Sequence, residues 1–233
     1  MGQEAKEKGR RLNRMIVAID GPAGVGKSTV AKLLAARLGY LYLDTGALYR
    51  AVAWNVLHHR VDPEESQAVE SLLPAMSVQM EFKNGSVKVL VNGEDITGEL
   101  RTPAVSAAAS VVSAIPAVRA WLLPVQRQIG STGAIVAEGR DIGTKVFPQA
   151  GVKFFLDADA EVRTQRRHRE LVAAGHASAV EQTSADLIGR DARDRMRVVA
   201  PLVPAEDALH IDTSAMTVEA VVERMMAVIT AKL

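Results

Sequence analysis

Cysteine is absent from the 233 residues, which removes disulfides and thiolate metal sites and fits a reducing compartment. A surplus of one charge sign is also missing. The 28 basic residues meet 27 acidic ones, for a net charge of +1, so the balance gives no reason to expect a nucleic-acid polymer as partner. The histidines at 58, 59, 168, 176 and 210 show no metal-ligand spacing. Long apolar runs are lacking: the most apolar region, Ala104 to Val125, is interrupted by Pro116, Arg119 and Pro124, too often for a membrane span. Segment 1–14 is charged and has no apolar centre, so it is expected to be neither signal peptide nor anchor. Lys6 stands where N-myristoylation wants Ser or Thr. The segment reads as a disordered basic tail. No internal repeat or low-complexity linker is visible. The expectation is a cytoplasmic, monomeric globular protein with one core, or one core and a small appended domain.

What is present begins with Gly21-Pro22-Ala23-Gly24-Val25-Gly26-Lys27-Ser28. The apolar run Met15–Ile19 before it reads as a buried strand, and Val30–Leu38 after it has helical periodicity. Strand, glycine-rich turn and helix opening on Lys-Ser is the context a P-loop requires. The glycines let backbone N–H groups turn inward around a polyphosphate, and the helix N-terminus adds partial positive charge. Gly21 to Thr29 are therefore the candidate ATP-binding residues: Lys27 reaches the β- and γ-phosphates and the Ser28 hydroxyl ligates Mg²⁺. The chain is expected to bind a nucleoside triphosphate.

Further strands are expected at Leu41–Leu43, Ala134–Ala137, Val152–Leu156 and Ala208–Ile211, each short and almost continuously apolar. Helical stretches separate them, which predicts a doubly wound α/β protein with a five-stranded parallel sheet. Ligands in such sheets sit at the carboxyl ends of strands. Those ends carry the glycine-rich turn, Asp44-Thr45-Gly46, Glu138-Gly139-Arg140-Asp141 and Asp157. The stretch 62–102 breaks the rhythm. Val78, Met80 and Phe82 alternate with polar residues, as do Val87, Val89 and Val91, with Asn84-Gly85 and Asn92-Gly93 as turns. That pattern predicts an inserted small antiparallel sheet, with a helix before it near Glu64–Leu73. The core is then 15–61 and 103–233.

The stretches Ile19-Asp20-Gly21-Pro22, Leu43-Asp44-Thr45-Gly46-Ala47-Leu48-Tyr49-Arg50, Glu138-Gly139-Arg140-Asp141-Ile142-Gly143-Thr144 and Arg190-Asp191-Ala192-Arg193-Asp194-Arg195 together resemble bacterial cytidylate kinase, a P-loop nucleoside monophosphate kinase. The resemblance runs in order from about Met15 to the C-terminus and includes the insertion. Thr45 stands where that family often has Ser, and the hydroxyl is kept. It implies transfer of the γ-phosphoryl of ATP to CMP or dCMP. It implies that Arg50, Arg140 and Arg197 grip the acceptor phosphate, that Arg190 and Asp194 hold the ribose, and that Ser110, Arg119 and Asp141 surround the base, with Thr45 on the acceptor side. Segment 163–178, with Arg163, Arg166, Arg167 and Arg169, looks like the family's mobile lid, and Arg166 is the preferred contact with the donor phosphates. The catalytic set is thus Lys27, Arg140, Arg166 and Arg197.

Periodicity alone leaves alternatives open. The 190–197 stretch reads equally as a solvated helix laced by Arg190–Asp194 and Asp191–Arg195 pairs. Glu138 is a candidate to organise Mg²⁺ through water, and just as well an ordinary strand-end carboxylate. A guanine-nucleotide switch would want an Asn-Lys-x-Asp reader, which is absent; Asp95-Ile96-Thr97-Gly98 matches only a short pattern and lies in the insertion. A mechanical ATPase would want a strand ending in Asp-Glu, and Phe154–Ala158 matches poorly. Within kinases, UMP, dTMP and shikimate are the rival acceptors.

Overall fold

A computed structural model describes residues 15–83 and 86–232. The tail 1–14 and the Asn84-Gly85 turn lie outside the described residues. The described residues fall into two compact units: 15–43 with 130–232, and those between 44 and 129.

The first unit is built on a five-stranded sheet in the order β2-β6-β1-β7-β8. Its strands are β1 (Ile16–Asp20), β2 (Leu41–Asp44), β6 (Ile135–Gly139), β7 (Val152–Asp157) and β8 (Leu209–Asp212). The β1–β6, β1–β7 and β7–β8 pairs are parallel, with Asp20 opposite both Gly139 and Phe155 and Asp157 opposite Asp212. That register sets the carboxyl ends of the strands side by side, so the loops leaving them share one rim. Helices α1 (Lys27–Leu38) and α8 (Val218–Ala231) belong to this unit. Val30 and Leu34 of α1 and Val222 and Met225 of α8 join Val17, Ile19, Phe154 and Leu156 in one core. Helix α1 begins at Lys27, three residues before the apolar period, because glycine at 26 supplies a left-handed cap (φ 92°). Helices α6 (Ala160–Ala173) and α7 (Val180–Met196) complete the unit, with residues 174–179 between them.

The second unit has its own core. Helices α2 (Thr45–His58), α3 (Ser66–Leu72), α4 (Pro103–Val112) and α5 (Pro116–Ile129) accompany a three-stranded antiparallel sheet of β3 (Val78–Lys83), β4 (Ser86–Val91) and β5 (Glu94–Asp95). Asn92 and Gly93 both adopt positive φ (51° and 86°), as the second expected turn requires. The unit is wider than the 62–102 insertion. Leu48, Val52 and Val56 of α2 pack in one cluster with Val89, Val91 and Ile96 of the sheet region and with Val105, Val112 and Leu122 of α4 and α5. The small sheet thus buries its apolar face against helices that flank it in sequence. Asp95, of the Asp-x-x-Gly pattern, accepts from the Thr97 amide at 3.1 Å and its hydroxyl at 2.6 Å and pairs with Lys88. It is a turn-forming side chain. No single described helix is long and apolar enough to cross a membrane; α4 and the segment 116–132 are separated by a 102° bend.

Candidate active site

The glycine-rich turn leaves β1 at Asp20. Gly21 has φ 148°, and a Cβ there would lie 2.1 Å from the Leu156 carbonyl oxygen, so only glycine lets the loop pass over the end of β7. Lys27 is buried and donates from Nζ to the Pro22 carbonyl at 2.6 Å. Burial pushes its amine down to about 7, Arg140 and Arg190 push the same way, and Glu138 and Asp194 oppose them. The lysine of the cradle therefore feels the very side chains expected to serve the second nucleotide. Ser28 is partly buried in the first turn of α1, and Thr29 beside it is exposed.

At the end of β6, Glu138 is buried and accepts from the Tyr42 hydroxyl at 2.8 Å. The chain then turns at Arg140 and Asp141 into a π-helical turn, Ile142–Val146. Asp20 holds that turn: its two carboxylate oxygens accept from the Ile142 and Gly143 amides, each at 2.8 Å. Burial raises the Asp20 carboxyl to about 6 despite those two bonds.

Helix α7 supplies the matching cluster. Asp194 accepts from Arg140 Nε at 2.8 Å and from Arg197 Nη1 at 3.3 Å, and Arg197 Nη2 stands 3.6 Å from Asp141. Arg197 Nε also donates to the Ala200 carbonyl at 2.5 Å. Burial would raise the Asp194 carboxyl, but Arg140, Arg190 and Arg197 outweigh it and hold it below the usual range. Arg190, one turn earlier, is partly buried. The alternative of a solvated, salt-bridged helix is overturned: Asp191 and Asp194 are both buried, and Asp191 pairs with Arg163.

The expected lid arginines divide. Arg163 is buried rather than on a mobile arm, since its guanidinium is locked between Asp191 and the Ala23 carbonyl. The structure places Arg166 on Thr213, with Nη1 3.0 Å from the hydroxyl and Nη2 2.7 Å from the carbonyl. Arg167 pairs with Glu170, and Arg169 is exposed.

Four acceptor candidates belong to the second unit. Asp44 caps α2 by accepting from the Ala47 amide at 3.1 Å and pairs with Arg50 at 2.6 Å and Arg101 at 3.4 Å. A Cβ at Gly46 would crowd both, 3.0 Å from Asp44 Oδ1 and 3.1 Å from Arg50 Nη1. Arg50 Nε is buried with no hydrogen-bond partner among the described residues, a donor whose desolvation calls for an acceptor. Thr45 is buried in the first turn of α2. Arg119 is buried 5.3 Å over the Tyr49 ring and donates to the Ser113 carbonyl, while Ser110 is buried on α4.

Residues 17–231 match the model of the cytidylate kinase family. The chain belongs to that family. It is 48% identical over 219 residues to the cytidylate kinase of Syntrophotalea carbinolica, covering 94% of this chain and 93% of the relative. It is 50% identical over 212 residues to a bifunctional pantoate ligase/cytidylate kinase of Synechococcus sp. (strain WH7803), covering 90% of this chain and 43% of that relative. The chain thus spans less than half the length of the bifunctional protein. Among solved structures, an uncharacterized protein from Eubacterium ventriosum aligns at TM-score 0.52 and 14% identity over 94% of this chain and 99% of that one, a likeness of fold alone. Membership of the cytidylate kinase family makes the chain a kinase, a phosphotransferase.

Sequence reasoning assigned no specific site role to Asp20, Asp44, Tyr49 or Asp191, and gave Arg163 only a place on the lid. Their partners lie in other strands and helices or in a neighbouring turn, and no spacing announces them. The one available signal was a carboxylate directly before the glycine-rich turn and another directly before Thr45.

Proposed function

We propose that this cytidylate kinase family member transfers the γ-phosphoryl group of ATP to the 5′-phosphate of CMP or dCMP, giving CDP or dCDP and ADP. The observation that carries the reading is the electrostatic neighbourhood of Lys27. Its amine, in the triphosphate cradle, is under the influence of Arg140, Glu138, Arg190 and Asp194, so donor-side and acceptor-side groups share one rim of the sheet.

In this mechanism residues 21–29 cradle the ATP phosphates with backbone amides, and Lys27 neutralises charge on the β- and γ-oxygens. Bound with ATP, Mg²⁺ further neutralises the polyphosphate. The hydroxyl of Ser28 and the carboxylate of Glu138 are hard oxygen donors that suit it. Arg50, Arg140 and Arg197 clamp the acceptor phosphate, and Arg190 and Asp194 take the ribose. Arg166 serves the donor side from behind the loop, through Thr213. The acceptor phosphate is already anionic, so no general base is needed; positioning and charge neutralisation supply the rate.

The base is read by polarity. Cytosine offers an amino donor at N4 and acceptors at N3 and O2. A carboxylate such as that of the buried Asp141 suits the amino group, and a hydroxyl and a guanidinium such as those of the buried Ser110 and Arg119 suit the acceptors. Uracil would set a carbonyl against Asp141 and leave buried groups unpaired, a larger penalty than a lost apolar contact. A coupled assay with CMP, dCMP, UMP, dTMP and shikimate at fixed ATP and Mg²⁺ tests this. CMP or dCMP should give by far the highest kcat/KM. Equal turnover of CMP and UMP would overturn the base reading, and preference for shikimate or dTMP the whole assignment.

A further inference from the structure

Side chains hold the backbone of the glycine-rich loop in place. Three of its carbonyls accept from side chains: Pro22 from Lys27 Nζ, Ala23 from Arg163 Nη1 at 3.2 Å, and Val25 from the Thr213 hydroxyl at 3.1 Å. Arg163 is itself fixed three ways, by Ala23, by the Ala158 carbonyl at 3.1 Å from Nε, and by the Asp191 carboxylate. Asp191 closes the ring, its other oxygen 3.5 Å from the Ala23 amide nitrogen. The Ala23 residue is thus bracketed on both its N–H and its C=O by one buried ion pair. The loop also lies directly on α6: a Cβ at Gly24 would sit 2.9 Å from the Arg163 carbonyl oxygen and 3.0 Å from its Cβ.

Where the pair comes from matters as much as what it touches. Arg163 lies in α6, and Asp191 lies in α7 between Arg190 and Asp194. We infer that Arg163 and Asp191 are a positioning pair: they set the conformation of the glycine-rich loop at Ala23 and tie it to the helix that carries Arg190, Asp194 and Arg197. On this account Arg163 does not reach out to ATP. It turns the Ala23 carbonyl away from the phosphates so that neighbouring amides face them. Because α7 holds both Asp191 and the acceptor-side cluster, the pair fixes the distance between donor and acceptor phosphates. Displacements of about 1 Å at such a point cost on the order of 10²-fold in rate.

The inference rests on the proposed ATP and CMP reading and is tested apart from it. In the folded enzyme, Asp191→Asn keeps the shape and removes the charge, and Arg163→Met removes the fork. Each should raise KM for ATP and lower kcat, for a combined loss of about tenfold to hundredfold, with KM for CMP within about twofold of wild type. Arg163→Lys keeps the charge but has one nitrogen for three acceptors, so it should rescue only in part. Because the pair acts as a unit, the double variant should be no worse than the poorer single. Where Arg163→Met does not fold, Arg163→Lys takes its place in the cycle. Hydrogen exchange at the loop amides needs no acceptor nucleotide, and should be faster in Asp191→Asn than in wild type. A wild type that turns over no CMP refutes the functional reading and leaves the exchange test standing. The positioning pair is refuted if Asp191→Asn keeps wild-type kcat, KM for ATP and loop exchange while Arg163 variants fail, the pattern of a direct Arg163–ATP contact. Losses that multiply in the double variant refute it as well.

Discussion

Replacing Asp194 by Asn removes a carboxylate that accepts from both Arg140 and Arg197. The side chain is 6% exposed, with Oδ2 2.8 Å from Arg140 Nε and Oδ1 3.3 Å from Arg197 Nη1. Asparagine keeps one acceptor oxygen, so one guanidinium must face an NH₂ group, donor against donor. Breaking a buried pair from one side costs about 3–5 kcal/mol, because the remaining charge stays desolvated. For a protein of this size each kcal/mol moves Tm by about 2–4 °C, so the variant should melt roughly 6–20 °C below wild type at pH 7. The sign with pH follows from the lowered Asp194 carboxyl. Its stabilisation is fully present above the ordinary 3.8 and is lost as pH falls through the lower folded value. The gap between the two proteins should therefore hold steady from pH 5 to 8 and narrow in strong acid. Differential scanning calorimetry across that range measures it, and added sulfate should raise Tm of the variant more than that of wild type by supplying an anion to the arginines. A variant melting within about 2 °C of wild type at pH 7 would refute the account of this cluster as a buried, mutually dependent network.

Three further outcomes are expected. Lys27 is near neutrality at about 7 in the free protein, and a triphosphate restores its charge. ATP binding at pH 8 should take up protons, measured by calorimetry in buffers of different ionisation enthalpy, and should weaken as pH rises through 7. Lys27→Ala should lose that uptake and all turnover while still binding CMP, and wild-type binding with no proton uptake would refute the assignment. Asp141→Asn should narrow the preference for CMP over UMP in kcat/KM mainly by losing CMP activity; an unchanged ratio counts against Asp141 as the base reader. Excising residues 63–101 should abolish cooperative unfolding of the second unit, followed by circular dichroism. It removes Val69, Val78, Val89, Val91, Ile96 and Leu100 from a core shared with α2 and α4, and a sharply melting deletion variant would show that core to be dispensable.

The sequence by itself determined the parts of this protein that are local. Glycine spacing followed by Lys27-Ser28 marks the phosphate cradle because the residue types that its turn requires lie within eight residues. Short apolar runs mark the central strands β1, β6 and β7 because a parallel strand covered on both faces has no polar side to show. Asn92-Gly93 marks its turn because both residues take positive φ there. Tertiary structure decided everything that depends on partners distant in sequence. Spacing offered Asp191 to Arg195 as an i,i+4 partner, but folding gave it Arg163, 28 residues away. Arg163 and Arg166 read as exposed lid arginines because nothing in their own helix shows that Ala23 and Thr213 will lie behind it. The stretch 62–102 reads as an insertion because its alternating strands are visible in sequence, whereas the helices that pack on them are set by tertiary contacts. A buried charge takes whichever counter-charge the fold brings to it, since desolvation leaves it no water to fall back on, and that choice is made in three dimensions.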